Sequence, residues 1–471
     1  MEAANILVCS YKLQTAGGSS TSYIKFNGNF NFNGDCAAGA CPNPPIPLKL
    51  QYLPVPPKKK TASQPSNTSP PPIPPRPQKK TVPKKNQAPP QKPQPSPQNS
   101  VKSNKHKLQN TTMQNTYVAI MAGGVGSRFW PASREERPKQ FLDILGVGKS
   151  LLRLTFERFL ELCPAENIFI VTNESYKTLV KTHLPEISDN QILCEPSRNN
   201  TAPCIAYTAF KLQALNPNAN LVVAPSDHII LQEKKFVDIL RHALAFTAQN
   251  DALLTLGIEP SRPDTGYGYI NYTATPVESN IHPVKRFTEK PPLETAKAFL
   301  ASGDYLWNAG IFIWRTESLL QAFQQYAPAI HEILGANLAC YNTPAEQAFI
   351  NEYYPTTPKI SVDFAIMEKA DNVYTIPSSF GWSDLGTWGS LHVESNQDEQ
   401  GNARSGAKVI LEDTHNSLIR ISPDKLAVIG GLDDFIVVDE GDVLLIYPKS
   451  REQEIKKLTQ EVRERYGEGF L

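Results

Sequence analysis

Residues 117–141 read YVAIMAGGVGSRFWPASREERPKQF, and the fold is decided here. Six apolar residues, 117–122, make a run of strand length, and a glycine-rich turn comes next without a spacer. A buried strand opening directly onto Gly123, Gly124 and Gly126 leaves backbone amides, clear of side chains, where a polyphosphate can approach. The loop matches neither common phosphate fingerprint. No Gly-Lys-Ser/Thr ends it, as a Walker A loop requires, and the third glycine of a dinucleotide-binding turn is missing. Outward from this point, strand-like runs recur at 167–172 (NIFIVT), 191–195 (QILCE), 220–225 (NLVVAP) and 252–258 (ALLTLGI). Helical spacing between them predicts helices over 151–162, with Ser150 as N-cap, 205–215 and 234–247. Apolar strands alternating with helices predict an α/β fold with a mainly parallel sheet, covered on both faces and presenting ligands at the strands' carboxyl ends.

The 471 residues exceed one average domain, and 40% of them are hydrophobic, enough for a sizeable core. They are unevenly spread. Twenty of the 41 prolines lie between Pro42 and Pro97, and no acidic residue occurs between Asp35 and Glu135. Residues 1–115 carry 15 Lys or Arg against Glu2 and Asp35, a net +13, and the remaining 32 basic and 44 acidic residues leave −12. The total of +1 therefore hides a basic tail on an acidic body. Fixed φ, missing amide donors and like-charge repulsion predict that 1–115 is a disordered extension, with polyproline II character over 43–110. Its SPPPIPPRPQ run, 69–78, fits the PxxP pattern of SH3-like grooves, although such runs arise wherever proline is abundant. Met113, just past the 43–110 stretch, leaves open that the native chain starts there.

Beyond Val393 the texture shifts to short β-like runs, AKVILED, NSLIRIS, KLAVIGG, DFIVVDEGD and VLLIYP. They predict a small all-β C-terminal domain over 393–471, ending in a helical segment at 450–465, and leave 116–392 as the α/β domain. Seven scattered cysteines without a CxxC pair read as reduced thiols. The N-terminus lacks the basic n-region of a secretory signal, and no apolar stretch approaches the roughly 18–20 residues that span a bilayer. A soluble, cytoplasmic protein is expected, with neither a nucleic-acid nor a membrane partner.

The residues just after the loop are more specific than the loop itself. Arg128 and Lys139 both have the charge and reach for phosphate oxygens. The pattern GGxGxRxxPxSxxxxPKQF, 123–141, resembles that of the mannose-1-phosphate guanylyltransferases within the sugar nucleotidyltransferases. The resemblance continues in order through EPSRNNTAP (195–203), PSDH (225–228), TGYGYI (265–270), FTEKP (287–291), WNAGIF (307–312), SVDFAIMEK (361–369) and GWSDLGTW (381–388). It covers 117 to about 391, and the β tail resembles the C-terminal domain of the family's compact members. It implies a Rossmann-like nucleotidyltransferase fold and Mg²⁺-dependent transfer of GMP from GTP to α-D-mannose 1-phosphate. It also implies a homodimer through the β domain.

Asp227 lies in a polar turn after the apolar strand LVVA, and a carboxylate there suits Mg²⁺, a hard ion that prefers oxygen. By the resemblance, Asp227 and Asp384 hold one Mg²⁺ touching the α-phosphate and the sugar phosphate, and Arg128 and Lys139 complete the catalytic set. A single Asp in a turn is more often a cap, but its occurrence in PSDH and GWSDLG together favours the metal reading. The resemblance assigns nucleotide binding to Ala122, Gly123, Gly124, Gly126, Asn200, Thr201, Pro225 and Ser226. To the sugar phosphate it assigns Gly266, Tyr267, Gly268, Glu289, Lys290, Asn308 and Gly310, which would otherwise be a glycine-rich strand edge and a surface ion pair. His228 is expected to make a structural hydrogen bond, and Phe380, Trp382 and Trp388 to pack. One departure stands out: the family usually reads Arg-Asn-Thr-Ala-Pro, whereas Asn199 occupies the arginine's place and Arg198 comes one residue earlier.

The implied reaction needs no side-chain base, because a sugar 1-phosphate with a second pKa of about 6 is largely dianionic at neutral pH. Three alternatives remain: a sister enzyme using another base or sugar, a non-catalytic subunit that binds sugar nucleotide, and a bifunctional enzyme that also isomerises phosphosugars, for which the region after Val393, with His415 alone, is too short and too poor in histidine. PKQF and RNNTAP argue against the first, and the intact Arg128, Lys139, Asp227 and Asp384 against the second.

Overall fold

A computed structural model of the chain describes residues 114–406 and 408–471. Residues 1–113 of the extension expected over 1–115, with its polyproline II stretch over 43–110 and its PxxP run, lie outside the described residues. β1 (Thr116–Met121) divides its side chains between two cores: Tyr117 and Ala119 enter one, Val118 and Ile120 the other. An all-apolar strand with period 2 is what a sheet covered on both faces needs. β2 (Ile168–Asn173), β3 (Ile192–Glu195) and β4 (Asn220–Pro225) continue the sheet in parallel. They are joined through α1 (Leu151–Leu160), α2 (Lys177–His183) and α3 (Thr201–Leu215). Ser150 caps α1, its Oγ accepting from the Arg153 amide at 3.2 Å.

Past the short β5 (Ile229–Ile230), α4 (Glu233–Thr247) leads to β6 (Leu253–Ile258). β7 (Tyr269–Tyr272), β8 (His282–Thr288), β9 (Tyr305–Arg315) and β10 (Val373–Ser378) complete a nine-stranded sheet ordered β3-β2-β1-β4-β9-β6-β10-β8-β7. Helices α5 (Leu293–Ser302), α6 (Thr316–Tyr326), α7 (Pro328–Gly335) and α8 (Glu346–Tyr353) lie between these strands in sequence. The sheet is mixed, which corrects the mainly parallel expectation. β9 runs antiparallel to β4, β6 and β7, and β8 antiparallel to β7 and β10. A strand buried on both faces carries no mark of its direction. Phe312 and Trp314 of β9 enter one core and Ile311 and Ile313 the other, as in β1.

β11 (Trp382–Ser383) pairs with β5 and leads into α9 (Trp388–Glu394). The C-terminal strands then coil. β12 (Ala403–Ser405), β14 (Leu418–Arg420) and β16 (Phe435–Asp439) stack in parallel, as do β13 (Val409–Glu412) and β15 (Ala427–Gly430). β17 (Leu444–Pro448) returns antiparallel to β16, and α10 (Ile455–Tyr466) comes after it. The C-terminal part does not stand apart. Phe129, Trp130, Leu142 and Ile144, just beyond the glycine loop, share one core with Trp388 and Leu391 and with Leu418, Ile436, Val438 and Ile455. Trp130 Nε1 donates to the Phe470 carbonyl at 2.7 Å, and Arg134 pairs with Asp442. Among the described residues, no helix is long and apolar enough to cross a membrane.

Candidate active site

Gly126 adopts φ 75°, a left-handed conformation open to glycine, and a Cβ there would lie 2.5 Å from the Cβ of Lys139. The stem of Lys139 is thus laid against the loop. Gln140 fixes the loop too, its Nε2 donating to the carbonyls of Ala122 and Gly124 at 2.9 Å each. The Ala122 carbonyl also accepts from Thr172 Oγ1 at 2.8 Å, and its amide donates to Val171 O at 2.7 Å. Ala122 therefore shapes the loop and offers no free amide to a phosphate.

Lys139 is only 3% exposed. Its Nζ donates to Asp227 Oδ2 at 2.9 Å and to the Asp384 carbonyl at 2.8 Å, and lies 5.2 Å from the centroid of the Phe129 ring. One ammonium group thereby joins the turn after β4 to the turn after β11. Asp384 Oδ1 accepts from Tyr267 OH at 2.7 Å and from the Gly386 amide at 3.0 Å. Its Oδ2 has no protein donor among the described residues. Burial alone would raise the Asp227 carboxyl; the charges of Lys139 and His228 and hydrogen bonds from Lys139 and the backbone outweigh it and hold it below the ordinary carboxylate value. His228 Nδ1 accepts from Trp382 Nε1 at 3.1 Å, while Phe380 and Trp388 are fully buried.

A cleft of about 850 Å³ opens beside this cluster, and Arg128, Gly266, Tyr267, Lys290 and Asp384 line it. The C-terminal part contributes Glu452 to the same wall. Asn308 is held on three sides: Nδ2 donates to Asp363 Oδ1 at 3.0 Å, and Oδ1 accepts from Thr255 Oγ1 at 2.8 Å and from the Gly310 amide at 3.1 Å. A Cβ on Gly268 would stand 2.6 Å from Glu289 Oε2, so glycine there makes room for a buried carboxylate. Lys290 is exposed, with its ammonium paired to Glu289. Asp363, which the motifs gave no reason to single out, has its carboxyl pushed up to about 6 by burial and by the nearby Glu289 charge.

On the nucleotide side, Asn200 caps α3, its Oδ1 accepting from the Thr201 amide at 2.8 Å, and Thr201 Oγ1 accepts from the Val362 amide at 2.9 Å. Pro225 is in register with Met121, and the buried Ser226 accepts from Thr155 Oγ1 through its carbonyl at 3.1 Å. These four residues shape the loops that end β3 and β4. Asn199 is fully buried and donates from Nδ2 to the carbonyls of Tyr354 and Thr357 at 3.0 and 3.1 Å, a structural role. Arg198 donates from Nη2 to the Tyr176 hydroxyl at 2.9 Å.

Glu195, at the end of β3, is the residue that sequence reasoning missed. Its side chain is buried, Oε1 accepts from Tyr354 OH, and Oε2 lies 3.5 Å from where a Gly123 Cβ would stand. Burial pushes the carboxyl up to about 7. EPSRNNTAP carried the residue, but a lone acid at a strand end gives no sign of burial, and its partner lies 159 residues away.

Comparison with known proteins agrees with this geometry. The family described as Nucleotidyl transferase matches residues 117–401, and the MannoseP isomerase/GMP-like beta-helix domain matches 407–462. Mannose-1-phosphate guanylyltransferase RfbM of Salmonella typhimurium is 37% identical over 344 residues, 72% of this chain and 71% of that protein. Xanthan biosynthesis protein XanB of Xanthomonas campestris is 35% identical over 354 residues, 74% of each chain. A crystal structure from Thermus thermophilus, described as a mannose-1-phosphate geranyltransferase, has a TM-score of 0.65 at 32% identity, over 74% of this chain and 99% of that one. With a buried lysine joining two aspartate turns beside the glycine loop, and with relatives alike over most of both chains, this chain is a nucleotidyltransferase that belongs to the mannose-1-phosphate guanylyltransferase family.

Proposed function

We propose that the chain transfers GMP from GTP to α-D-mannose 1-phosphate, giving GDP-mannose and pyrophosphate. The observation that carries this reading is the junction of Lys139 with Asp227 and Asp384 beside the glycine loop. The dianionic sugar phosphate attacks the α-phosphorus of GTP in line; a new P–O bond forms as the bond to the bridging oxygen breaks, and pyrophosphate leaves. No side chain takes a proton. What the protein must do is hold two mutually repelling anions together and neutralise charge growing on the α-phosphate oxygens. Arg128 and the amides of Gly123, Gly124 and Gly126 receive the nucleotide's phosphates, and Lys139 presents a charge whose position is fixed by two hydrogen bonds.

Among the described residues, no three His, Cys, Asp or Glu side chains gather to hold a metal by themselves. Two carboxylates, with Asp384 Oδ2 lacking a protein donor, suit Mg²⁺, which keeps several waters and completes its shell with substrate phosphates. Bound by Asp227 and Asp384, that ion would supply charge neutralisation at the α-phosphate. Glu289, Asn308 and the Gly266–Gly268 turn receive the sugar hydroxyls in this reading. Residues 116–392 form its catalytic domain and 393–471 its C-terminal domain. Among the described residues, four buried free thiols accord with a reducing, cytoplasmic setting.

Guanine offers N1–H and an exocyclic amine on one edge, and a carboxylate accepts from both. Glu195, with Oε2 turned toward the loop, supports the choice of GTP. The test compares GTP with ITP, which lacks the exocyclic amine. Glu195→Gln is expected to lower kcat/KM for GTP by about 10- to 100-fold and to narrow the GTP/ITP ratio. An equal loss with every nucleotide would remove Glu195 from base recognition.

A further inference from the structure

Three cationic side chains line the cleft: Arg128, Lys290 and Arg262. Arg128 rises from the glycine loop, and Lys290 is paired to Glu289. Arg262 has no part in the mechanism so far. It lies just after β6, which β4 and β9 separate from β1 and its loop, so it stands on the sugar half of the cleft.

Its guanidinium is set in place. Nε and Nη2 donate to Asp264 Oδ2 at 3.0 and 2.8 Å, and Nη2 reaches Tyr267 OH at 3.3 Å. The group lies over two rings, 5.1 Å from the Trp307 centroid and 5.8 Å from that of Tyr267. Nη1 has no protein acceptor among the described residues, and the side chain is 53% exposed. A planar fork stacked on aromatics loses little freedom when it takes a further anion, and its free edge suits a phosphate oxygen. The same Tyr267 hydroxyl donates to Asp384 Oδ1 at 2.7 Å, so the fork stands one residue away from the proposed metal carboxylate.

We propose that Arg262 binds the phosphate of the sugar 1-phosphate through Nη1, and that Tyr267 ties the position of this phosphate to that of Asp384. The inference rests on the proposed GMP transfer and deepens it by naming the residue that receives the attacking phosphate. The attacking dianion is repelled by the triphosphate, and a cation on the sugar side answers that repulsion without drawing the nucleotide away from its loop.

The test is steady-state kinetics of full-length Arg262→Ala and Arg262→Lys, using whichever nucleotide and sugar 1-phosphate the unmodified chain turns over. Arg262→Ala is expected to raise KM for the sugar 1-phosphate about 10- to 100-fold while moving KM for the nucleotide less than about threefold. Arg262→Lys should recover part of the loss, since it keeps the charge without the fork. Thermal melting of both variants should match the parent. A rise confined to the nucleotide, or to pyrophosphate in the reverse direction, would place Arg262 on the leaving-group side and overturn the inference, as would no change in any KM. Failure of the unmodified chain with every substrate pair would instead overturn the proposed transfer itself.

Discussion

At the scale of single residues, the proposed reading rests most on Lys139 and Glu195, and they differ in how far they could be read. Lys139 stands in PKQF, where charge and spacing announce it. Its role as a bridge between two turns is visible only in the fold. Lys139→Met keeps the stem and removes the charge; kcat should fall by about 100-fold or more, in the range lost when one transition-state donor is deleted. Normal turnover by a folded variant would exclude Lys139 from the mechanism. Glu195 makes a pH prediction whose sign comes from its raised carboxyl. In the folded protein it titrates at about 7, against an ordinary value of 4.5, so the folded state holds the proton more tightly than the unfolded chain does. The resulting stabilisation is complete below pH 4.5 and is lost as pH rises from there toward about 7. Glu195→Gln should remove that slope, which urea unfolding of parent and variant at about pH 5 and pH 8 would reveal. Parallel stability profiles for the two proteins would contradict the burial argument. Asn199 shows the limit of motif reading: its amide fills a fully buried site, and burial is not written in the motif.

At the scale of elements, the strands that flank the glycine loop were legible because each is a short, mostly apolar run bounded by turn residues. β9 was not. WNAG within it reads as ligand chemistry rather than as a strand, and its two-sided burial hides its direction, so its place as the strand that joins the two halves of the sheet is visible only in the fold. The C-terminal β runs were legible as β, but their parallel coiling depends on contacts between successive turns of chain. That coil does more than cap the molecule, since Ile436 of β16 shares a core with Phe129 and Trp130 beside the glycine loop. Ile436→Ala should cost about 2–5 kcal/mol in urea unfolding, as a large-to-small change at a fully buried site. It should also lower kcat at a temperature where the variant remains folded, because the wall supporting Arg128 loosens. A destabilised variant with parental kcat would show that the loop stands without this support.

At the scale of the whole molecule, composition alone separated a basic, proline-rich extension from an acidic body, and the ordered motifs placed the chemistry in that body. What brings the site together was beyond reach of any one motif. Lys139, the aspartate turns after β4 and β11 and the TGYGYI turn lie up to 245 residues apart in sequence, yet a few hydrogen bonds join them beside one cleft. The most direct measurement is pyrophosphate release by the purified full-length chain with Mg²⁺, testing GTP, ATP, UTP and CTP each against mannose 1-phosphate and glucose 1-phosphate. Turnover concentrated in the pair GTP and mannose 1-phosphate is the predicted result. A preference for another nucleotide or sugar, or silence across the grid, would contradict it.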